Sequence, residues 1–489
     1  MSLNEASTRR RFLKTVGAAG LAGGGVYSVR DGVSRAASRE AGTPRIKGRP
    51  FWVRQADEVT LGLGELTEDY KRWDPVNNCF ARLPDYIGKD RYLKVTALGA
   101  ENAGKGVAEK RPGWSVRDAA LSNGGSLVNF SSGGMDGDSV GILKWNPTEW
   151  TEQFRAQHDK YDEPPGIAAR DVKAAARLYG AALVGIAPLD RRLIFSHGPT
   201  PRHPDLDEFE RAKVNGKPPS GKPIVFEDVE RPYVTDEKYV IPDSFNRVVV
   251  LANRMSPETM YRVPSRIGGA ASYFGYSAMS WTAGSVAEFI RSLGYEAIPL
   301  KNGFLMTVAY AVQSGLGELS RTNRLVTYEY GPMVRLSTVL TDLPMATDKP
   351  MDAGIAEFCR RCGKCAQACP AGAISFDRDP SWEVKGPWNN PGHKAWFLDA
   401  PKCLAYWREL NSSCSICFAS CPWSKKDRSW AHSLVKMTAA TTPAIGGLLR
   451  RMNDAFGYGP KNSPKEQEKW WELELPEYGI DTMQGKTEV

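Results

Sequence analysis

Histidine is scarce in this chain, and what there is stands apart. The five residues, His158, His197, His203, His393 and His432, form no H-x-x-x-H pair and no D-x-H-x-x-G run, so no histidine-built metal site is written here. A complete G-x-G-x-x-G is also missing. Gly315-Leu316-Gly317 lacks the third glycine and reads as a turn, which removes the usual dinucleotide signature. Long apolar runs are absent beyond the N-terminus, where about 20 residues would be needed to span a bilayer. No internal repeat appears apart from the cysteines described next.

Nine cysteines are present, and they are unevenly placed: Cys79 is alone, while the other eight lie between 359 and 421. A disulfide framework would scatter them through a small secreted domain, which a chain of 489 residues is not. The first run, CRRCGKCAQACP, has the C-x2-C-x2-C-x3-C-P spacing of a two-cluster ferredoxin, with Cys359, Cys362, Cys365 and Cys369. The second comprises Cys403, then Cys414, Cys417 and Cys421 followed by Pro422. In such ferredoxins the fourth cysteine of a run ligates the other cluster. The spacing therefore assigns Cys359, Cys362, Cys365 and Cys421 to one [4Fe–4S] cluster, and Cys403, Cys414, Cys417 and Cys369 to the second. Structural zinc is the competing use of C-x2-C pairs. Two C-P endings and eight cysteines favour iron–sulfur. Cys79 belongs to neither set and reads as a small core residue.

The formal net charge of +8 invites a nucleic-acid reading that the distribution does not support. Residues 1–36 hold six Arg and Lys against two Asp and Glu, and two clusters with their thiolates would offset most of the remainder. Residues 8–14, TRRRFLK, precede a short small-residue run and a candidate cleavage site near Ala36–Ala37. Paired arginines in that setting predict a twin-arginine leader over 1–37 and a soluble exported chain. Downstream, 38–165 shows no readable alternation. Helical spacing follows at 171–181 and 285–295, and buried-strand runs at 183–189 and 247–255, so the middle of the chain reads as α/β. A polar, Pro-rich stretch within 194–243 reads as an insertion, 346–425 as the cluster-bearing part and 426–489 as a tail.

Two adjacent clusters make a one-electron wire that needs a terminus. The chain resembles the reductive dehalogenases, corrinoid iron–sulfur enzymes of organohalide respiration. The resemblance is carried by the TRRRFLK leader, LVGIAPLDRR (183–192), KPIVFEDV (222–229), EFIRSLGYEAIP (288–299), SGLGELSR (314–321), YGPMVRL (330–336), TDLPMATDKPMDAGIAEFCRRCGKC (341–365) and DAFGYGP (454–460). It implies a nitroreductase-like fold over 38–193 and 244–345 holding a base-off cobamide without a protein ligand, followed by a ferredoxin-like domain. It also implies a catalytic Tyr276, Asn302 and Arg335, with Trp407 in the substrate pocket. Read alone, Tyr276 would be a core residue, Asn302-Gly303 a turn and Arg335 an ion-pair partner. No corrinoid-contacting residue is named by the sequence.

Reductive dehalogenation replaces carbon–halogen with carbon–hydrogen using two electrons and a proton. A tyrosine keeps its proton at neutral pH and can donate it, and a neighbouring arginine would stabilise the tyrosinate left behind. The resemblance further implies an organohalide substrate, a respiratory electron donor and a small integral-membrane anchor protein on the outer face of the membrane. Self-association stays open. The alternatives are an epoxyqueuosine-reductase-like enzyme and an exported electron carrier without its own substrate.

Overall fold

The computed structural model describes residues 49–50, 52–59, 61, 65–133, 139–199, 221–424, 435–439 and 458–472. The expected leader, residues 200–220 of the insertion and residues 454–457 of DAFGYGP lie outside them.

A four-stranded sheet organises the middle of the chain. Its strands are β1 (Leu183–Pro188), β2 (Arg247–Arg254), β3 (Ala297–Leu300) and β4 (Val334–Thr341), in the order β1-β2-β4-β3. Every neighbouring pair is antiparallel: Leu183 faces Ala252, Asn253 faces Arg335, and Leu300 faces Thr338. The fold is thus a mixed helix and strand architecture, in keeping with the alternating helical and strand runs. Strand β2 is covered on both sides, and Val248 to Ala252 are all fully buried. Val248, Val250 and Ala252 face a core with Leu336, Leu340, Ile224, Ile241 and Tyr310, while Val249 and Leu251 face Ala283, Val286 and Val339. A strand covered on both faces carries no polar alternation, and such a run is the usual mark of a parallel sheet.

The helices that bear on the site are α1 (Lys89–Ala108), α2 (Val116–Gly125), α3 (Leu127–Ser131), α4 (Pro165–Leu178), α5 (Arg266–Ser292), α6 (Ile355–Cys362) and α7 (Ala400–Leu410). The longest is α5, with 27 residues and an extent of about 40 Å. The hydroxyl of Ser265 caps it by accepting from Gly268 N at 3.4 Å. Its C-terminal half buries Ala283, Val286, Ala287 and Ile290 on the sheet. Along its flank Ser277 Oγ donates to Gly125 O at 2.6 Å and accepts from Asn129 N at 3.1 Å, which ties down α2 and α3. The 285–295 pattern was thus the end of a much longer helix.

The described part of the expected insertion adds a small sheet in which Ile224–Glu227 and Tyr233–Val234 flank Tyr239–Pro242. The N-terminal third is mainly helical and packs beside the cysteine region. Arg54–Gln55 pairs antiparallel with Met351–Asp352, and α1 lies against α7. Among the described residues no helix is long and apolar enough to cross a membrane.

Candidate active site and cluster-bearing loops

Tyr276 projects from α5 and Arg335 from the start of β4, beneath that helix. The guanidinium carbon of Arg335 lies 4.5 Å from the centre of the Tyr276 ring, and Nη1 donates to the phenolic oxygen at 3.5 Å. A cation over an aromatic face is attractive. Arg335 Nε is buried and has no hydrogen-bond partner. Asn302 follows β3 at the end of the sheet where Arg335 stands, since Leu300 is in register with Thr338. It is half-buried and hydrogen-bonds neither Tyr276 nor Arg335. The structure therefore joins Tyr276 to Arg335 directly and brings Asn302 to the same end of the sheet. Trp407, on α7, meets Phe80 edge-on at 6.0 Å and packs on Cys79, Leu83, Tyr92 and Leu404. Cys79 is buried in that group, as a small core residue would be.

None of the nine cysteines forms a disulfide, and the eight clustered ones form two electrostatic neighbourhoods. Cys421 is influenced by Cys359 and Cys362, and Cys365 by Cys359, Cys421, Cys417 and Cys362. Cys403 feels Cys369, Cys414 feels Cys403 and Cys369, and Cys417 feels Cys403, Cys414 and Cys369. These are the two crossed sets that the spacing assigns, and they touch where Cys365 meets Cys417. Among the described residues no three His, Cys, Asp or Glu converge on a point that one ion could fill, whereas a cubane is held at its separate corners. Burial pushes the Cys359 and Cys414 thiols up to about 12 and Cys403 to about 11, so as bare thiolates they would be costly. Iron would supply the missing positive charge. The donor set fits two clusters.

The second cysteine loop docks on the helix that carries Tyr276. Ser412 Oγ donates to Ser265 O, and Ser413 Oγ to Ser272 Oγ, each at 3.3 Å. Ser272 precedes Tyr276 by four residues, about 6 Å along the axis. Phe418, between Cys417 and Cys421, packs with Met255, Met260, Met333 and Ala271. An apolar cluster thus seats the Cys417–Cys421 turn against α5 at Ala271.

Three charged residues that sequence reasoning passed over are built into this region. Arg321 is buried over the Trp396 ring at 5.3 Å and donates to Cys359 O at 2.7 Å, to Ser375 O at 2.9 Å and to Asp377 O. Glu318 accepts from Ala353 N, Ile355 N and Ala356 N at 2.7, 3.1 and 3.0 Å, capping the start of α6, which bears Cys359 and Cys362. Desolvation and the charge of Asp352 raise its carboxyl above the ordinary range. Lys301, next to Asn302, is fully buried and donates to Asn129 Oδ1 and Ser132 O, each at 3.2 Å. Glu318 and Arg321 both lie in SGLGELSR, so the quoted stretch held the signal, but burial of a charge cannot be read from its letters.

Comparison with known proteins covers these elements. A family model described as reductive dehalogenase subunit matches residues 152–345, which contain Tyr276, Asn302 and Arg335. A second, described as 4Fe-4S double cluster binding domain, matches 358–424 and contains all eight clustered cysteines. A tetrachloroethene reductive dehalogenase of Sulfurospirillum multivorans is 34% identical over 453 residues, covering 88% of this chain and 87% of that protein. The chain belongs to the reductive dehalogenase family. It is accordingly an oxidoreductase. A tetrachloroethene reductive dehalogenase of Dehalobacter restrictus is 34% identical over 403 residues, covering 73% of this chain and 70% of its own. The solved structure of a catabolic reductive dehalogenase, NpRdhA, shares the fold with a TM-score of 0.57 at 22% identity; the match covers 88% of this chain and about half, 52%, of that one. An epoxyqueuosine reductase of Lactococcus garvieae is 26% identical over 190 residues, only 36% of this chain, which disfavours that alternative for a reductive dehalogenase matched over most of its length.

Proposed function

We propose that this reductive dehalogenase replaces a carbon–halogen bond of an organohalide with carbon–hydrogen, drawing electrons through two [4Fe–4S] clusters held by the crossed cysteine sets. Cys359, Cys362, Cys365 and Cys421 hold one cluster, and Cys403, Cys414, Cys417 and Cys369 the other. A base-off corrinoid bound beside Tyr276 would supply the low-potential cobalt that cleaves the carbon–halogen bond. The residues fit such a group. The buried Arg335 Nε lacks an acceptor, and no described histidine stands beside the pair: His158 bonds Phe154 O, His197 faces Asp74 and His393 packs on Phe397. Tyr276 holds the proton destined for carbon. Arg335 stabilises the phenolate once the proton has left, and Asn302 orients the substrate or the departing halide. Trp407 would reach the substrate only through a pocket that also takes in the Phe80 face. Export through the twin-arginine leader, docking to a membrane anchor protein and supply from a respiratory donor complete the reading.

The observation that carries it is Arg335 lying over Tyr276 on the helix that also seats the Cys414 loop. Tyr276→Phe in anaerobically purified holoenzyme is expected to retain about eight iron and one cobalt per chain while losing most turnover. A near parental rate would refute the proton-donor role.

A further inference from the structure

A cavity of about 630 Å³ opens beside α6, lined by Arg321, Arg360, Arg361, Cys362, Phe376 and Arg378, among others. Four arginines thus line the same cavity as one side chain of the first cysteine set. Arg360 is tied to Glu357 and Asp379, and Lys385 reaches Asp377 at 3.8 Å. Arg361 and Arg378 are exposed and have no carboxylate partner among the described residues. Phe376 stands at the rim with 70% of its surface exposed. Folding gains nothing from an aromatic ring left in water between unpaired arginines. Arginine and aromatic residues are, however, the types enriched where protein surfaces recognise each other.

The position of the cavity gives it a role. The Cys414 loop, from the second set, sits about one turn from Tyr276 on α5, whereas Cys362, from the first set, faces the cavity. A wire with one end at the active site takes up its electrons at the other. We infer that this cavity is the docking site for an acidic electron-carrier protein, which delivers single electrons to the cluster held by Cys359, Cys362, Cys365 and Cys421. Arg361 and Arg378 steer the carrier by charge, Phe376 supplies the apolar contact, and the carrier's redox centre is presented to Cys362. Each encounter oxidises the carrier by one electron and reduces the cluster by one, and two encounters supply one dehalogenation. The inference rests on the cluster assignment proposed above. A neutral donor would have no use for unpaired arginines, and a cationic one would be repelled by them.

The test uses anaerobic holoenzyme and reduced plant-type [2Fe–2S] ferredoxin as the acidic carrier. Binding is measured by calorimetry and cluster reduction by stopped-flow absorbance, each over a range of salt. The parent should bind the ferredoxin, with affinity and second-order rate both falling as salt rises. Arg361→Glu/Arg378→Glu should lower the rate about tenfold or more and flatten its salt dependence. Arg361→Lys/Arg378→Lys should recover most of it. Turnover driven by methyl viologen, a small cation that needs no docking surface, should remain at the parental level in both variants. Unchanged ferredoxin kinetics in the glutamate variant overturns the inference. So does an equal loss with methyl viologen, or a variant that keeps the ferredoxin rate but no longer binds phosphatidylglycerol vesicles, which would make the patch a lipid contact. Absence of viologen-driven dehalogenation in the parent would instead defeat the proposed activity, while ferredoxin-dependent cluster reduction would still be measurable.

Discussion

Gly275 and Arg335 share one space: a Cβ placed on Gly275 would lie 2.7 Å from Arg335 Cγ. A glycine inside a helix costs about 1 kcal/mol relative to alanine, so its presence in the middle of α5 needs a reason. Here the reason is passage, because the arginine stem crosses the helix surface at Gly275 to reach the ring of Tyr276, the next residue. Gly275→Ala should therefore gain helix propensity but overpack against Arg335 and Met255, so stability should fall modestly while the guanidinium is pushed off the ring. Turnover should fall about tenfold to a hundredfold, as displacements of about 1 Å do, with iron and cobalt contents retained. Steady-state kinetics with metal analysis checks this, and a parental kcat would mean that Arg335 is not held in place by that contact.

His393 gives a pH dependence of defined sign. It is buried against Phe397 at 5.0 Å, its Nδ1 has no partner, and burial lowers its pKa from the ordinary 6.5 to about 4. Between those values the unfolded chain binds a proton that the folded chain refuses, so stability rises with pH across the window. The contribution is fully present above about pH 6.5 and is lost as pH falls toward 4, up to about 3 kcal/mol. Thermal inactivation midpoints should drop across this range, and His393→Leu should flatten that part of the profile. An unchanged slope in the variant would place the acid sensitivity elsewhere.

The double-cluster region was open in the sequence because cubane ligation is local: eight cysteines at short spacings announce it, and the family model over 358–424 covers all eight. The strands at 183–188 and 247–254 were equally plain, since each is a dense apolar run. Strand direction was not, because β2 is covered on both faces and shows no alternation. The helical N-terminal third stayed hidden for a different reason. The buried face of α1 consists of Tyr92, Gly99, Ala103 and Gly106, which are helically spaced but mostly too small to register as hydrophobic. Its burial comes from closeness, as a Cβ on Gly99 would sit 2.0 Å from Arg408 O. For the site, Tyr276 and Arg335 became distinctive only through resemblance. A tyrosine on a helix and an arginine on a strand carry no local pattern that announces their meeting. The place of Trp407 beside Phe80 and the Cys79 cluster was equally hidden, because a tryptophan in CLAYW carries no sign of what it packs on.

Glu318 offers a readout specific to the first cluster. Its carboxylate caps α6 through three backbone N–H groups, so ionised Glu318 places a negative charge at the helix that presents Cys359 and Cys362. Desolvation and Asp352 both favour the protonated form, whereas the three N–H donors favour the ionised one. Adding an electron to a nearby cluster is opposed by the ionised carboxylate and tolerated by the neutral acid. The midpoint potential of that cluster should therefore fall as pH rises through the titration of Glu318. Glu318→Gln removes the charge but keeps an oxygen for two of the three donors, at a cost to stability of about 1 kcal/mol. The variant should show a higher midpoint potential and a flatter pH dependence for one cluster, with the other unmoved. Redox titration followed by EPR separates the two signals. A parallel shift of both would mean that the substitution has loosened the whole cysteine region, because a single charge at the N-terminus of α6 acts far more strongly on the nearer set.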